Sequence, residues 1–327
     1  VLAEVDPGRW DALLAALGVT DVYATRGYIE ASAPLAAAVP AYLHLEGAGG
    51  SVLFPALVRD SPADVVGPYG YGGAFGVGQD PPLRDFGAAY GEWCRARGAL
   101  TSFVIYHPLR ANHLAADATG FHAEPLAGTI AWRLEGDLLA GMHRHHRRLA
   151  RRAEAAGLSV SVVERPDDLA EFVAVYEATM RRAGAGDFYL FGEDHWRALI
   201  AGVPLVLVEV RRDGELVAAV LGMGAPPWLH YHLGGSTEDG RGLGASHLAL
   251  LALARWGAAN GYDILHLGGG VGGGEDSLLT FKRRFAPSGL VPAAIGKAVH
   301  DPEAYERLTG RARGDVAGFF PAYRSSR

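Results

Sequence analysis

Lysine is scarce in this 327-residue chain: Lys282 and Lys297 stand among 30 basic residues, and the rest are arginine. Lys282 follows two glycine triplets, 268–270 and 272–274, and lies between Phe281 and Phe285. An ammonium is a compact point charge that can be desolvated, whereas a guanidinium is broad and always charged. Behind a loop whose glycines leave backbone amides open to a ligand, such a charge suits acyl transfer. It would meet a carbonyl oxygen and stabilise the negative charge that grows there, a role whose loss costs about 3–4 kcal/mol where a single donor has been removed. An ordinary exposed helix lysine is the competing reading. Glu275 and Asp276 have the place and type of N-terminal caps for the following helix, and Leu278 and Phe285 are expected to anchor it to the core. Lys297, in a terminal strand without comparable context, is expected to be unremarkable.

Three further sets carry chemistry. His230 and His232 alternate along one strand and share a face, with His266 in a strand expected beside them. A metal pair is geometrically open, but no carboxylate or cysteine completes a ligand set with recognisable spacing, so these histidines are expected to line a cleft or to pack. Tyr231 faces the other way and can donate a phenolic hydrogen bond. The segment 142–152 holds Arg144, Arg147, Arg148, Arg151 and Arg152, five arginines in nine positions of a chain whose net charge is −6. That local stripe suits a phosphate or RNA backbone; a solvated helix face competes, and the aromatic interleaving that would favour base stacking is absent. Finally, Asp239-Gly240-Arg241-Gly242-Leu243-Gly244-Ala245 is a glycine-rich turn feeding a helix, a form that exposes amides to an anion. Asp239 would repel a diphosphate, and a capped flexible turn reads the stretch equally well.

The elements that must position these groups are legible in the pattern. With 49% hydrophobic and 20% charged residues the chain can build full cores, and its length suits two domains. A single cysteine, Cys94, excludes an internal disulfide and fits a reducing compartment. The first residues lack the basic start and apolar core of a signal peptide, and the apolar run 248–259 is too short to span a bilayer, so a cytoplasmic protein without a membrane span is expected. Helical patterns at 10–17 and 28–38 precede strands at 41–46 and 52–58, joined by a hairpin signal. A Gly/Tyr-rich loop at 67–76, a helix at 83–97 and strands at 100–106 and 128–134 follow. Residues 137–156 read as one basic amphipathic helix stopped by Gly157.

The second half is cleaner. A strand at 158–163, helices at 168–182 and 195–201, and strands at 204–211, 216–222 and 228–233 lead into the glycine turn. A helix at 246–259, a strand at 262–267, the glycine loop, a helix at 277–285 and a strand at 291–297 complete it. Antiparallel strands, a glycine turn into a helix, then a parallel strand is the order of an acetyltransferase-like domain. The fold expected is α/β (α+β), with mixed central sheets flanked by helices, and the similar elements of the two halves fit a duplicated fold. Their bounds are 1–136 and 158–327, joined by a basic connecting helix at 137–157.

The residues Tyr231-His232-Leu233-Gly234-Gly235-Ser236, the helix at 248–259, the run 261–270 and the run 276–285 with its Phe281-Lys282-Arg283-Arg284-Phe285 resemble the Fem-type aminoacyltransferases of the GNAT superfamily. The Pro68-Tyr69-Gly70-Tyr71 loop and the arginine-rich helix extend the resemblance over most of the chain. The resemblance implies two tandem GNAT-like domains, the second holding the reaction channel, and transfer of an amino acid from aminoacyl-tRNA to an amine, forming an amide, with no cofactor because the ester is already activated. It implies Lys282 at the aminoacyl ester with Phe281 beside it, Tyr231 on the central strand, and Arg182 and Tyr189 at the acceptor. His232, His266, Gly269 and Gly270 would line the substrate channel. Tyr28-Ile29-Glu30-Ala31-Ser32 stands where cell-wall members carry a lysine for the acceptor's phosphates, and the coiled-coil arm of some members is absent. A specialised metabolite is therefore as good an acceptor as a peptidoglycan precursor. Two other readings stay open: an acyl-CoA-dependent N-acyltransferase on a sugar or amine, and a non-catalytic module that binds RNA or a glycan precursor.

Overall fold

A computed structural model describes residues 1–312 and 314–325. The chain divides into two compact units, one of residues 1–19, 23–126 and from 292 onward, the other of 20–22 and 127–291.

The first unit begins with β1 (Ala3–Glu4), α1 (Pro7–Ala16), α2 (Arg26–Ala36) and the hairpin of β2 (Ala38–Gly47) and β3 (Gly49–Arg59). The Asp6 and Thr25 side chains cap the two helices by accepting from the N–H groups of Gly8 and Tyr28, which satisfies donors a helix start leaves unpaired. Then come β4 (Asp64–Val66), β5 (Phe75–Asp80), α3 (Leu83–Ala96), β6 (Thr101–Ile105) and the start of β7 (His122–Arg133). The Gly/Tyr-rich stretch is irregular as far as Ala74 and then becomes β5, which pairs with β3. Phe54, fully buried, meets Phe86, Tyr90 and Phe121 edge-on and centres the core.

The second unit takes the end of β7 and then α4 (Leu138–Gly141), α5 (Arg144–Ala155), β8 (Ser159–Glu164), α6 (Ala170–Arg182) and α7 (Glu193–Gly202). It continues with β9 (Leu205–Arg212), β10 (Glu215–Ala225), β11 (Trp228–Ser236), α8 (Glu238–Leu243), α9 (Ala245–Ala259), β12 (Ile264–Gly268) and α10 (Ser277–Arg283). Its strands run in the order β7-β12-β11-β10-β9-β8. Every neighbour is antiparallel except β11 with β12. The apolar helix α9 covers one face so closely that a Cβ on Gly257 would come 2.9 Å from Leu229, and one on Gly222 2.9 Å from Leu253. Helix α6 covers the other face, where a Cβ on Gly235 would come 2.8 Å from the Tyr176 backbone.

Four expectations change. The basic segment is two helices, because Met142 turns extended (ψ 152°) to bury its side chain in the core and His143 caps α5. Helix α5 is no connector: His146, Ala150 and Ala153 are buried and belong to the second unit's own packing. The glycine stretch at 239–245 is largely helical, since the Thr237 hydroxyl caps α8 at the Gly240 N–H, 3.0 Å away. The last strand, β13 (Leu290–Val299), pairs from Ile295 to Val299 with β6, so it and α11 (Pro302–Thr309) join the first unit rather than a second domain running to the end of the chain. Lys297 on β13 is only 2% exposed. Its ammonium donates to Glu124 at 2.6 Å and to the carbonyls of Val316 and Gly318, a buried staple for the C-terminal segment. No helix among the described residues is long and apolar enough to cross a membrane.

Candidate active site

Helix α10 is short and would fray alone, so its position depends on its two ends. Asp276 caps the start: one carboxylate oxygen accepts from the Leu279 N–H at 2.8 Å and the other from the Val271 N–H at 2.9 Å. Those two bonds hold its carboxyl below the usual range and tie the glycine loop to the helix. A Cβ on Gly270 would come 2.4 Å from the Gly274 carbonyl oxygen and 2.5 Å from Asp276, so the loop closes this tightly only with glycine there. Phe285 and Leu279 are buried in the core; Leu278, the expected anchor, is 36% exposed. The helix is rotated one residue from that expectation.

This rotation buries Lys282, 8% exposed. Its ammonium donates to the Gly269 carbonyl oxygen at 2.7 Å and lies 5.7 Å from the centre of the Tyr231 ring, within cation–π range. Burial brings its pKa down to about 8, with the Asp276 carboxylate pulling the other way. A partly desolvated cation with one carbonyl partner keeps donor capacity for a ligand.

Tyr231 reaches this place through a bulge. Leu221 and Gly222 are consecutive on β10 but pair with Leu233 and Tyr231 on β11, so His232 is an extra residue and the alternation of faces slips. Gly234, three residues after Tyr231, consequently lies under the phenol, and a Cβ there would come 2.7 Å from its Oη. Burial lifts the Tyr231 pKa to about 12, so the group is a neutral donor at ordinary pH.

The other expected residues divide. The Gly269 carbonyl and the Gly270 backbone belong to the Lys282 loop. Phe281 does not share its side: the ring packs on His146, His247 and Phe285 and anchors α10. His266 is buried, with Nε2 2.9 Å from the Thr129 hydroxyl and Nδ1 3.3 Å from Nδ1 of His230. The pKa of His232 falls to about 3, first through burial and then through His195 and His230, so it is a neutral ring. The Arg182 guanidinium donates to the Ser236 carbonyl at 2.7 Å and to the Thr179 hydroxyl, clamping α6 to the end of β11. The Tyr189 carbonyl accepts from the Tyr176 hydroxyl. No hydrogen bond or ion pair among the described residues joins Arg182 or Tyr189 to Lys282 or Tyr231.

On α5 the buried positions 146, 150 and 153 define one face, and the helical period puts Arg144, Arg148, Arg151 and Arg152 on the opposite one. These four are exposed. Arg147 is partly buried and donates to the Ala140 carbonyl. None of the five has a carboxylate partner among the described residues, and Glu154 is taken by Arg255. The start of α9 is less open. Gly244 adopts φ +84°, and a Cβ there would come 2.9 Å from the Leu149 carbonyl oxygen, so α5 packs tightly against this turn. Asp239 is bound by Arg212 at 3.0 Å.

Residues 140–283 match the family model described as "Acetyltransferase (GNAT) domain". The matched stretch lies within the second unit. The chain as a whole is similar in fold to the crystal structure of FemX, at 14% identity with 95% of this chain and 100% of that one covered and a TM-score of 0.70. L-PGS from Bacillus licheniformis is similar at 16% identity, 92% and 93% coverage and a TM-score of 0.58. A tandem GNAT protein from the clavulanic acid biosynthesis pathway gives 16%, 92%, 99% and 0.54. No curated protein matches the sequence. The matched stretch holds Lys282, Tyr231 and the arginine face of α5, in a chain whose fold is similar to that of FemX.

Sequence reasoning missed three contributors. His146 could have been found from its spacing with Ala150 and Ala153 (i, i+4, i+7). His247 and the need for a glycine at 234 had no sequence signal, since both depend on what the fold brings alongside.

Proposed function

We propose that the GNAT domain moves an amino acid from aminoacyl-tRNA to an amine acceptor. The observation that carries this reading is the buried Lys282 ammonium, held by one carbonyl beside a neutral phenol. In the reaction the acceptor amine attacks the aminoacyl ester carbonyl, a C–N bond forms, and the C–O bond to the tRNA ribose breaks. The proton lost by the amine ends on the departing ribose hydroxyl. Lys282 polarises the ester carbonyl and stabilises its oxygen as charge develops; Tyr231 orients the reactants by a hydrogen bond. The unpaired arginines of α5 receive the tRNA backbone, whose phosphates favour such a row.

The close packing of Leu149 on Gly244 at the start of α9 leaves less room for a coenzyme A diphosphate there, which supports an ester donor over an acyl-CoA. The acceptor is a small amine, a specialised metabolite or a peptidoglycan precursor. Incubation with mixed charged tRNAs and a panel of amines, read by mass spectrometry, tests the reading. Amide product that disappears after RNase treatment supports it; the same yield after RNase, or product only with acyl-CoA, overturns it.

A further inference from the structure

Helix α5 turns its arginines outward, and its inner face is bonded to the helix that carries Lys282. His146 is 1% exposed, and its Nε2 lies 2.9 Å from the carbonyl oxygen of Phe281. A carbonyl only accepts, so this nitrogen carries the proton and the ring is the Nε2–H tautomer. The His143 N–H donates to the Arg284 carbonyl at 2.9 Å. The two bonds therefore grip α10 on either side of Lys282. Around the first of them, the His146 ring packs against His247 (4.3 Å between centres), Phe285 (4.6 Å) and Phe281 (5.1 Å). Burial first, and then the facing groups that carry or can carry charge, His247, Arg284 and His145, lower the His146 pKa to about 3. The ring is thus neutral across the working range, and the bond does not switch with pH.

We infer that His146 is a positioning residue: through the Phe281 carbonyl it holds the peptide that carries Lys282, and so makes α5 the element that sets Lys282 against Gly269 and Tyr231. This inference rests on the acyl-transfer role given to Lys282, but the geometry it describes can be measured without turnover. With only two lysines in the chain, lysine labelled with carbon-13 at the ε position gives two signals, and Lys297 serves as the internal control.

The test compares wild type, His146→Gln and His146→Leu. Glutamine retains an N–H donor of similar reach; leucine removes it. In wild type the Lys282 signal should titrate with a midpoint of about 8. His146→Leu should move that midpoint up toward the ordinary lysine value as the ammonium gains water, and His146→Gln should restore it. In transfer assays kcat should fall about tenfold in His146→Leu while KM for the charged tRNA stays within about twofold, the pattern of a lost transition-state interaction. An unmoved Lys282 midpoint in a folded His146→Leu overturns the inference. Should that variant not fold, nitrogen-15 spectra of the wild-type ring decide: the Nε2–H tautomer at neutral pH supports the bond, and the other tautomer or a protonated ring overturns it. A wild type that transfers nothing from charged tRNA removes the proposed reaction, while the Lys282 midpoints still report on the positioning.

Discussion

The ammonium of Lys282 donates to the carbonyl oxygen of Gly269 across 2.7 Å, and that carbonyl is its one hydrogen-bond partner among the described residues. The arrangement is poor for stability and good for catalysis. A buried ammonium with one neutral acceptor is under-solvated, and a second oxygen arriving at the right distance would relieve it.

That imbalance gives a stability prediction. The folded-state pKa of Lys282 is about 8 and the ordinary value is 10.5, so between the two the unfolded chain binds a proton that the folded chain does not. Stability attributable to this group therefore rises with pH through that window, and below it the charge costs the folded state roughly 3 kcal/mol at about 1.4 kcal/mol per pKa unit. Lys282→Met should raise the free energy of unfolding at neutral pH by about 2 kcal/mol, the lost hydrogen bond offsetting about 1 kcal/mol. The gain should shrink as pH rises through the window. Urea denaturation at several pH values checks it, and a lower midpoint for the variant would contradict a strained ammonium.

Gly234 predicts a change in activity with little change in stability. An added Cβ would meet the far end of the Tyr231 side chain at 2.7 Å, and a ring can swing away at small cost. Gly234→Ala should leave the thermal midpoint within a few degrees while displacing the phenol and lowering kcat about tenfold, the scale of a lost orienting hydrogen bond. Equal kcat in the variant would remove Tyr231 from the site.

The arginine face predicts a salt signature. Replacing Arg148 and Arg151 with alanine should weaken tRNA binding and lower the slope of log affinity against log salt by about one per lost phosphate contact. The melting temperature should stay put, since both side chains are exposed and unpaired. Filter binding across a salt series measures this; an unchanged slope would place the tRNA elsewhere.

Much of this site is written locally in the chain. Glycine triplets, an aspartate at the right distance to cap, and a rare lysine six residues later mark α10 because caps and turns depend on near neighbours. The burial of Lys282 follows from a rotation of one residue, Leu279 inward rather than Leu278, and two adjacent leucines carry no local signal to choose between them. The bulge at His232 was equally silent: a simple alternation puts His230 and His232 on one face and Tyr231 on the other, but only the pairing with β10 shows that Gly234 then falls under the phenol. The basic segment reads as one helix because its polar periodicity is continuous through Met142, whose extended backbone answers to the core. Lys297 looked idle because its partners, Glu124 and the carbonyls of Val316 and Gly318, are distant in sequence or in an irregular segment. Most of the remaining helix and strand order of the second unit, by contrast, is readable, since its central strands are short apolar runs bounded by turns marked with glycine.

The central claim is that Lys282 stabilises the oxygen of an aminoacyl ester as it is transferred. The direct measurement is the single-turnover rate of amino-acid transfer from saturating charged tRNA, comparing wild type with Lys282→Gln across pH. Lys282→Gln should lose at least about 100-fold, the scale of one removed oxyanion donor, with tRNA affinity unchanged. The wild-type rate should fall as pH rises through about 8, where the ammonium loses its proton. Turnover by Lys282→Gln within a few-fold of wild type would contradict the claim.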